Sequence, residues 1–267
     1  MRFTVAATTA IVLALAATTA SAGVVIYQEV VTSGERGEHK SGQTVMIQGN
    51  KQKVVTEERE FITDLDAGKT FILIPSNKRV AEMPFPPSGV LAMVMTRQGN
   101  FVGFEKASGT NKVAGYDCQN YSGAQLSGHI DVKATECVAS AAAGARDYAE
   151  FRKAMMKKIE HTPLASKGEI PDGIPVSSTV TSKLTPFAIP PGFSPEQAAK
   201  IKEAQARAKP DVTTTTVTKI EVRDLPVATF AVPADYKGPE MPELPVKKGT
   251  TPEGAPGAAP ISSPAAH

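Results

Sequence analysis

The sequence predicts a mainly β domain of the α+β class, in which antiparallel strands pair in chain order and a helix packs against the sheet. Two observations lead to this prediction. Short segments rich in Val, Ile, Phe and Thr recur between residues 23 and 84, and turn sequences separate them. A later segment, residues 141–161, has apolar side chains at helical spacing. A run of strands followed by an amphipathic helix is expected to bury one against the other.

The first 22 residues have the pattern of a secretory signal peptide. Arg2 supplies a positive charge, residues 10–17 are apolar, and small residues precede Gly23. The apolar run is shorter than the roughly 20 residues that a membrane helix needs, and no later stretch approaches that length. We therefore expect an exported protein, periplasmic or extracellular, that is soluble after removal of the signal peptide and does not span a membrane.

The strand segments of residues 23–84 are joined by turns that favour pairing between neighbours. Gly49-Asn50 fits a two-residue hairpin, Asp66-Ala67-Gly68 a three-residue turn, and Ser76-Asn77 another tight reversal. Strands that follow one another through such turns form an antiparallel meander. The next segment, residues 89–99, has apolar residues at helical spacing but is short enough to be a strand.

The helix predicted over residues 141–161 has one apolar face, formed by Tyr148, Phe151, Met155 and Ile159. Basic residues occupy the rest of its surface: Arg152, Lys153, Lys157 and Lys158. That basic face is suited to anionic lipid headgroups. The alternative, which we favour, is an ordinary amphipathic helix that packs on the sheet.

Two threonine-rich strand segments, residues 174–184 and 211–225, enclose a short polar helix over residues 194–209. Ser194 is its expected N-cap, and Pro210 ends it. From residue 238 to residue 267 the chain is dominated by Pro, Gly, Ala and Ser, which predicts a disordered tail. Residues 23–237 are then expected to form a single domain.

The chain contains two cysteines, Cys118 and Cys137. In an exported protein an even count favours one disulfide bond. Closing the 19-residue separation would stabilise the fold by roughly 3 kcal/mol in the chain-entropy model. The alternative is a reactive thiol, but the four histidines of the chain are scattered and form no motif with either cysteine.

The sequence gives no sign of an enzyme, a cofactor or a metal site. Gly68-Lys69-Thr70 resembles the end of a phosphate loop, but Thr63 stands where that motif requires glycine, and a strand follows. Methionines at 83, 93 and 95 suit soft metals, yet no histidine or cysteine joins them, so packing is the favoured role. The 29 basic and 27 acidic residues nearly cancel, which indicates no nucleic-acid partner.

Three separated stretches carry a resemblance to a known family. These are residues 105–121, with Gly-Tyr-x-Cys-x-x-Tyr, residues 173–180, which open with Gly-Ile-Pro-Val, and residues 228–237, with Phe-x-Val-Pro-x-x-Tyr-Lys. Together with the signal peptide and the meander, they resemble an uncharacterised secreted bacterial family of unknown function, which in turn resembles the periplasmic lipoprotein carriers (LolA, LolB and LppX). The resemblance implies a curved antiparallel sheet, an unclosed β-barrel, with helices on its concave side. The helix over 194–209 is an insertion relative to that family.

Two functions follow from this resemblance. In the first, the concave sheet and its helices enclose a cavity that carries an acyl chain, lipid or other hydrophobic ligand. The expected lining is apolar and consists of Phe71, Leu73, Leu91, Met93, Met95, Tyr148, Phe151, Met155 and Ile159. In the second, the cavity is filled by the protein's own side chains, and the chain acts as a structural or interaction protein of the cell envelope. A fold by itself does not decide between such functions.

Overall fold

The structure is a computed structural model. It describes residues 22–35, 37–97, 99, 101–127, 129–162, 164–165, 167–186, 189, 192, 194–207 and 209–238. The predicted signal peptide, residues 1–22, and the predicted tail, residues 238–267, fall outside these ranges except for Ala22 and Gly238. Both therefore stay predictions.

The described chain forms strands and helices whose bounds follow the turn and cap signals of the sequence. The strands are β1 Gly23–Gly34, β2 Gly37–Gln48, β3 Lys51–Val55, β4 Glu60–Asp64, β5 Lys69–Ile74, β6 Arg79–Pro84, β7 Glu105–Val113, β8 Tyr116–Ser127, β9 Ile130–Ala139, β10 Ile174–Leu184 and β11 Asp211–Arg223. The helices are α1 Gly89–Arg97, α2 Ala145–Ile159 and α3 Pro195–Arg207, with 3-10 turns at Pro75–Asn77 and Val227–Phe230.

All eleven strands belong to one sheet, in the order β6-β5-β4-β3-β2-β1-β11-β10-β9-β8-β7. Every neighbouring pair of these strands is antiparallel. The sheet thus consists of two meanders, β1 to β6 and β7 to β11, joined where β1 pairs with β11. It is a curved sheet that does not close, with β6 and β7 at its two edges. The predicted fold class, a mainly β unclosed barrel with few helices, is confirmed.

The predicted hairpin at Gly49-Asn50 joins β2 to β3, and Gly49 has the positive φ of 55° that such a turn requires. Residues 89–99, which the sequence left open between helix and strand, contain the helix α1. Helix α3 begins with a reciprocal cap: the Gln197 backbone N–H donates to Ser194 Oγ at 3.2 Å, and Gln197 Oε1 accepts from the Ser194 N–H at 2.9 Å.

Helices α1 and α2 lie on the same face of the sheet. The segment that contains α1 returns the chain from the β6 edge to the β7 edge, and beyond the helix a Cβ on Gly99 would meet Val180 of β10. Helix α2 contacts β1, β2 and β10. Its apolar residues join the buried cluster of Val24 and Ile26 on β1. This is the concave face.

The C-terminal strap, residues 224–238, covers part of the other face. Leu225 is buried against Gly23 at the start of β1, and the 3-10 turn Val227–Phe230 contacts β3. The strap then reaches the β6 edge, where the Val80 N–H donates to the Lys237 carbonyl at 2.9 Å. A covered edge strand is protected from pairing with another chain.

Candidate ligand-binding face

The concave face is apolar where α2 crosses it. Phe151 and Ile159 of α2 are fully buried, and Met155 is 7% exposed. They belong to one buried cluster with residues of the two central strands, which include Ile26 and Ile47. Their spacing of four residues places them on a single side of the helix. The apolar face that the sequence predicted for this helix therefore packs against the middle of the sheet.

The structure brings together most of the residues that the sequence assigned to a hydrophobic lining. Tyr148 is half-buried, and together with Met95 of α1 it packs against the same cluster as Phe151, Met155 and Ile159. The side chains of Leu91 and Met93, which the sequence placed with them, lie outside the described residues.

Two residues of the expected lining, Phe71 and Leu73 of β5, belong to the other face. Along the sheet, Ile47 pairs with Gln52, Gln52 with Thr63, and Thr63 with Thr70. Thr70 therefore lies on the same face of the sheet as Ile47. Side chains along β5 alternate between the two faces of the sheet. Phe71 and Leu73 point to the face of the strap, because successive strand residues point to opposite sides.

A buried ion pair joins α2 to the sheet, and the sequence did not indicate it. Arg152 Nη1 donates to Glu136 Oε2 of β9 at 3.0 Å, and Nη2 donates to Oε1 at 3.3 Å. The two side chains are only 9% and 10% exposed. The Arg152 guanidinium also lies 5.6 Å from the centre of the Phe104 ring and 5.9 Å from that of Tyr148. The helical pattern of the sequence predicted Arg152 on the basic face of the helix, but its side chain is buried against the sheet.

The environment of this pair alters two acid–base equilibria. Burial raises the pKa of the Tyr148 hydroxyl, and the nearby Glu136 carboxylate also raises it, against the opposing effect of Arg152. Burial alone disfavours the charge on Arg152, but the Glu136 carboxylate, Tyr148 and the hydrogen bonds to Glu136 together raise its pKa. Arg152 therefore stays charged beneath the helix, held by a carboxylate and two aromatic rings.

The disulfide bond between Cys118 of β8 and Cys137 of β9 is present, as the sequence predicted. The bond ties two adjacent strands near the β7 edge of the sheet. A cavity of about 360 Å³ lies beside it, away from α2. In the part of the chain that the structure describes, no three His, Cys, Asp or Glu side chains gather as a metal site. Among the same residues no helix has the length and apolar character needed to cross a bilayer.

Several solved structures have a similar arrangement of strands and helices. A LolA superfamily protein from Nitrosomonas europaea is 9% identical, with 79% of this chain and 90% of that chain covered and a TM-score of 0.31. A DUF1329 family protein from Desulfovibrio piger is 8% identical, with coverages of 80% and 91% and a TM-score of 0.34. The lipoprotein LppX from Mycobacterium tuberculosis is 10% identical, with coverages of 76% and 87% and a TM-score of 0.28.

No protein-family model matches the chain, and no curated protein matches it. The structural matches are similarities in the arrangement of the strands and helices, at identities of 10% or below.

Proposed function

We propose that this chain is an exported binding protein that holds a hydrophobic ligand, such as an acyl chain or lipid, between α2 and the concave face of the sheet. The observation that carries the proposal is the apolar boundary between these two layers. On the helix side it consists of Phe151, Met155 and Ile159, and on the sheet side it includes Ile26 and Ile47. From Phe151 to Ile159 this side of the helix is apolar over about two turns, as a site for an aliphatic chain requires. The Arg152–Glu136 ion pair lies beside the apolar stretch.

The layers on the two sides of this boundary are separate elements of an open sheet. Helix α2 is connected to β9 and β10 by the loops at its ends, and the β6 and β7 edges of the sheet are not joined to each other. Met95 and Met155 both contact the cluster, and methionine side chains adapt to neighbours of different shape. A ligand would enter by moving α2 away from the sheet, because Phe151 and Ile159 fill the space beneath it.

The close packing of Phe151 and Ile159 beneath α2 favours a second candidate function. Phe101, Phe151 and Ile159 are each fully buried within the cluster, as in a core packed by its own side chains. A structural or interaction protein of the cell envelope would need no space beneath α2. The two functions differ in what copurifies with the protein, and one experiment separates them.

The test is native mass spectrometry of the exported protein, purified from a periplasmic extract without detergent, followed by extraction with organic solvent. The binding function predicts a hydrophobic adduct at one molecule per chain. It also predicts that a fluorescent fatty acid binds to the stripped protein and raises its Tm, because a ligand that binds only the folded state stabilises it. A mass without adduct, together with no binding of the fluorescent fatty acid, would favour the second candidate.

A further inference from the structure

The cavity beside the disulfide is a second site, whose lining shares only Cys137 and Val113 with the hydrophobic cluster that includes the α2 residues. Its lining includes Thr135 and Cys137 of β9, and these alternate along the strand with Ala134 and Glu136. Ala134 packs in the buried cluster of Phe104, and Glu136 binds Arg152 of α2. Thr135 and Cys137 therefore point away from the helix layer. A volume of about 360 Å³ lies within the range of small-molecule sites, roughly 300–1,000 Å³.

The floor of this cavity consists of five small polar side chains and the Cys137 half of the disulfide, on three adjacent strands. Two cross-strand rows meet there: Asn120, Cys137 and Ser177 in one, and Ser122, Thr135 and Thr179 in the other. Each row has one residue from β8, one from β9 and one from β10. Hydroxyl and amide groups thus stand next to one another in a fixed register, where they present both hydrogen-bond donors and acceptors. The disulfide holds β8 and β9 together at this place.

The wall of the cavity is an irregular part of β7. The pairing of β7 with β8 shifts between Lys106 and Thr110, and Ala107 in this stretch lines the cavity. The Gln119 side-chain amide fixes the irregular segment by donating to the Ala107 carbonyl at 2.8 Å and to the Gly109 carbonyl at 2.9 Å. Bulges of this kind redirect a strand next to a site.

The lining has no free charge. Among the described residues that border the cavity, Glu136 is the one acidic or basic side chain, and both of its carboxylate oxygens accept hydrogen bonds from Arg152. A phosphate or carboxylate ligand would find no cation there, and an ammonium group would find no unpaired carboxylate. The side chains of Ala107 and Val113 add an apolar part to the lining.

We propose that this cavity binds a neutral polyhydroxylated ligand of the size of one sugar residue. A hexose has hydroxyl groups for the Asn, Ser and Thr side chains of the floor, and C–H groups for Ala107 and Val113. Because the site is neutral and partly open, its affinity comes from a few hydrogen bonds, and we expect dissociation constants in the millimolar range.

The test is saturation-transfer NMR on the full mature chain, with D-glucose, D-galactose and N-acetyl-D-glucosamine as separate probes. The double variant S122A/T135V removes two floor hydroxyls at exposed positions, so the fold should be kept. The matched control is T181V. Thr181 is two residues after Thr179 on β10, so its hydroxyl lies on the same face of the sheet, but it does not line the cavity. Titrations of each protein with the strongest-binding probe give the dissociation constants.

We expect at least one of the three sugars to bind, and we expect S122A/T135V to bind it about thirtyfold more weakly, because two hydrogen bonds of about 1 kcal/mol each are lost. T181V should bind like the parent protein. Absence of saturation transfer from all three sugars would overturn the proposal, as would unchanged binding by S122A/T135V. Binding of acetyl-trialanine amide without binding of any sugar would also overturn it, in favour of peptide pairing along the β7 edge.

Discussion

At the scale of single residues, the Arg152–Glu136 pair orients α2 on the sheet. Apolar contacts of Phe151 and Ile159 have no direction and allow a helix to rotate or slide, whereas the two hydrogen bonds of the guanidinium require one position. The rings of Phe104 and Tyr148 both lie close to the Arg152 guanidinium, and the side chains of the ion pair are only 9% and 10% exposed. The buried pair therefore specifies how the helix docks, while apolar burial supplies the driving force.

Replacing Arg152 by methionine should lower the free energy of unfolding by about 3 kcal/mol, because the Glu136 carboxylate would be left buried without a partner. Urea unfolding followed by circular dichroism measures this change. The double variant R152M/E136L should recover most of the loss, since an apolar pair replaces the ions. The control is K153M on the same helix, whose lysine is 51% exposed and should contribute less than about 1 kcal/mol. Equal effects of R152M and K153M would contradict this account.

Asp64, at the end of β4, makes part of the stability depend on pH. Burial acts to raise the pKa of this carboxyl, but the hydrogen bond from Lys51 and the one from the Ala67 backbone N–H lower it below its ordinary value of 3.8. A lowered pKa in the folded state means that the contribution is complete above about pH 3.8 and is lost as the pH falls further.

Asp64→Asn should therefore reduce stability at neutral pH slightly and flatten the decline of stability below about pH 4, which denaturant titrations at a series of pH values would measure. Asp66→Asn, in the same turn, serves as the matched control. If the parent protein and D64N lost stability in parallel below pH 4, Asp64 would not be the group responsible.

At the scale of elements, the C-terminal strap acts as a cover for the face opposite α2. Val25, Ile62 and Leu73 are fully buried, and their register places them on that face. Leu225, which packs against Gly23, is 7% exposed, whereas Val227 in the same strap is 85% exposed. The strap thus contributes to burial through particular side chains.

Leu225→Ala should destabilise the protein by about 2–3 kcal/mol, since it removes a buried side chain at a close contact. Val227→Ala should change stability by less than about 0.5 kcal/mol, because the side chain already faces water. Thermal and urea unfolding of the two variants provide the comparison. Losses of the same size would show that the strap does not pack through Leu225.

Replacing both cysteines by serine should lower the free energy of unfolding by about 3 kcal/mol. The disulfide closes a loop between residues 19 positions apart, and this loop restricts the conformations of the unfolded chain. The comparison is urea unfolding of C118S/C137S and of the oxidised parent. Intact mass after alkylation of the native parent should show no added label. Two alkylated thiols in that sample would contradict the disulfide and restore the reactive-thiol alternative.

Local signals in the sequence predict the elements that depend on neighbours in the chain. The hairpin at Gly49-Asn50, the cap at Ser194 and the apolar face of α2 all follow from residues a few positions apart. The face to which Phe71 points depends instead on register carried through four strands, and the burial of Arg152 depends on Glu136, 16 residues away. No local pattern contains that information.

At the scale of the whole molecule, the two faces of the sheet carry different features. Its concave face holds α1 and α2 over an apolar cluster, while the opposite face carries the strap at one end and the polar cavity at the other. The sequence predicted the first meander and the amphipathic helix α2. It did not predict the pairing of β1 with β11, which joins the two meanders, because the paired residues are about 180 to 200 positions apart: Gly23 pairs with Arg223, and Ser33 with Val212.

The central claim is that a hydrophobic chain binds between α2 and the sheet, and a single tryptophan tests it most directly. The protein contains no tryptophan, so Tyr148→Trp introduces one reporter at the α2 boundary. Val227→Trp provides a matched reporter on the strap, at a position that is 85% exposed. Each variant is titrated with a fatty acid brominated along its chain, and its unbrominated counterpart corrects for changes in environment.

We predict that the brominated fatty acid quenches the fluorescence of Y148W to saturation at one ligand per chain and leaves that of V227W nearly unchanged, because bromine quenches only at close contact. Circular dichroism of both variants verifies that they are folded. Saturating binding without quenching of Y148W would place the ligand elsewhere, and no binding at all would mean that the core beneath α2 stays closed. Either result would contradict the proposed function.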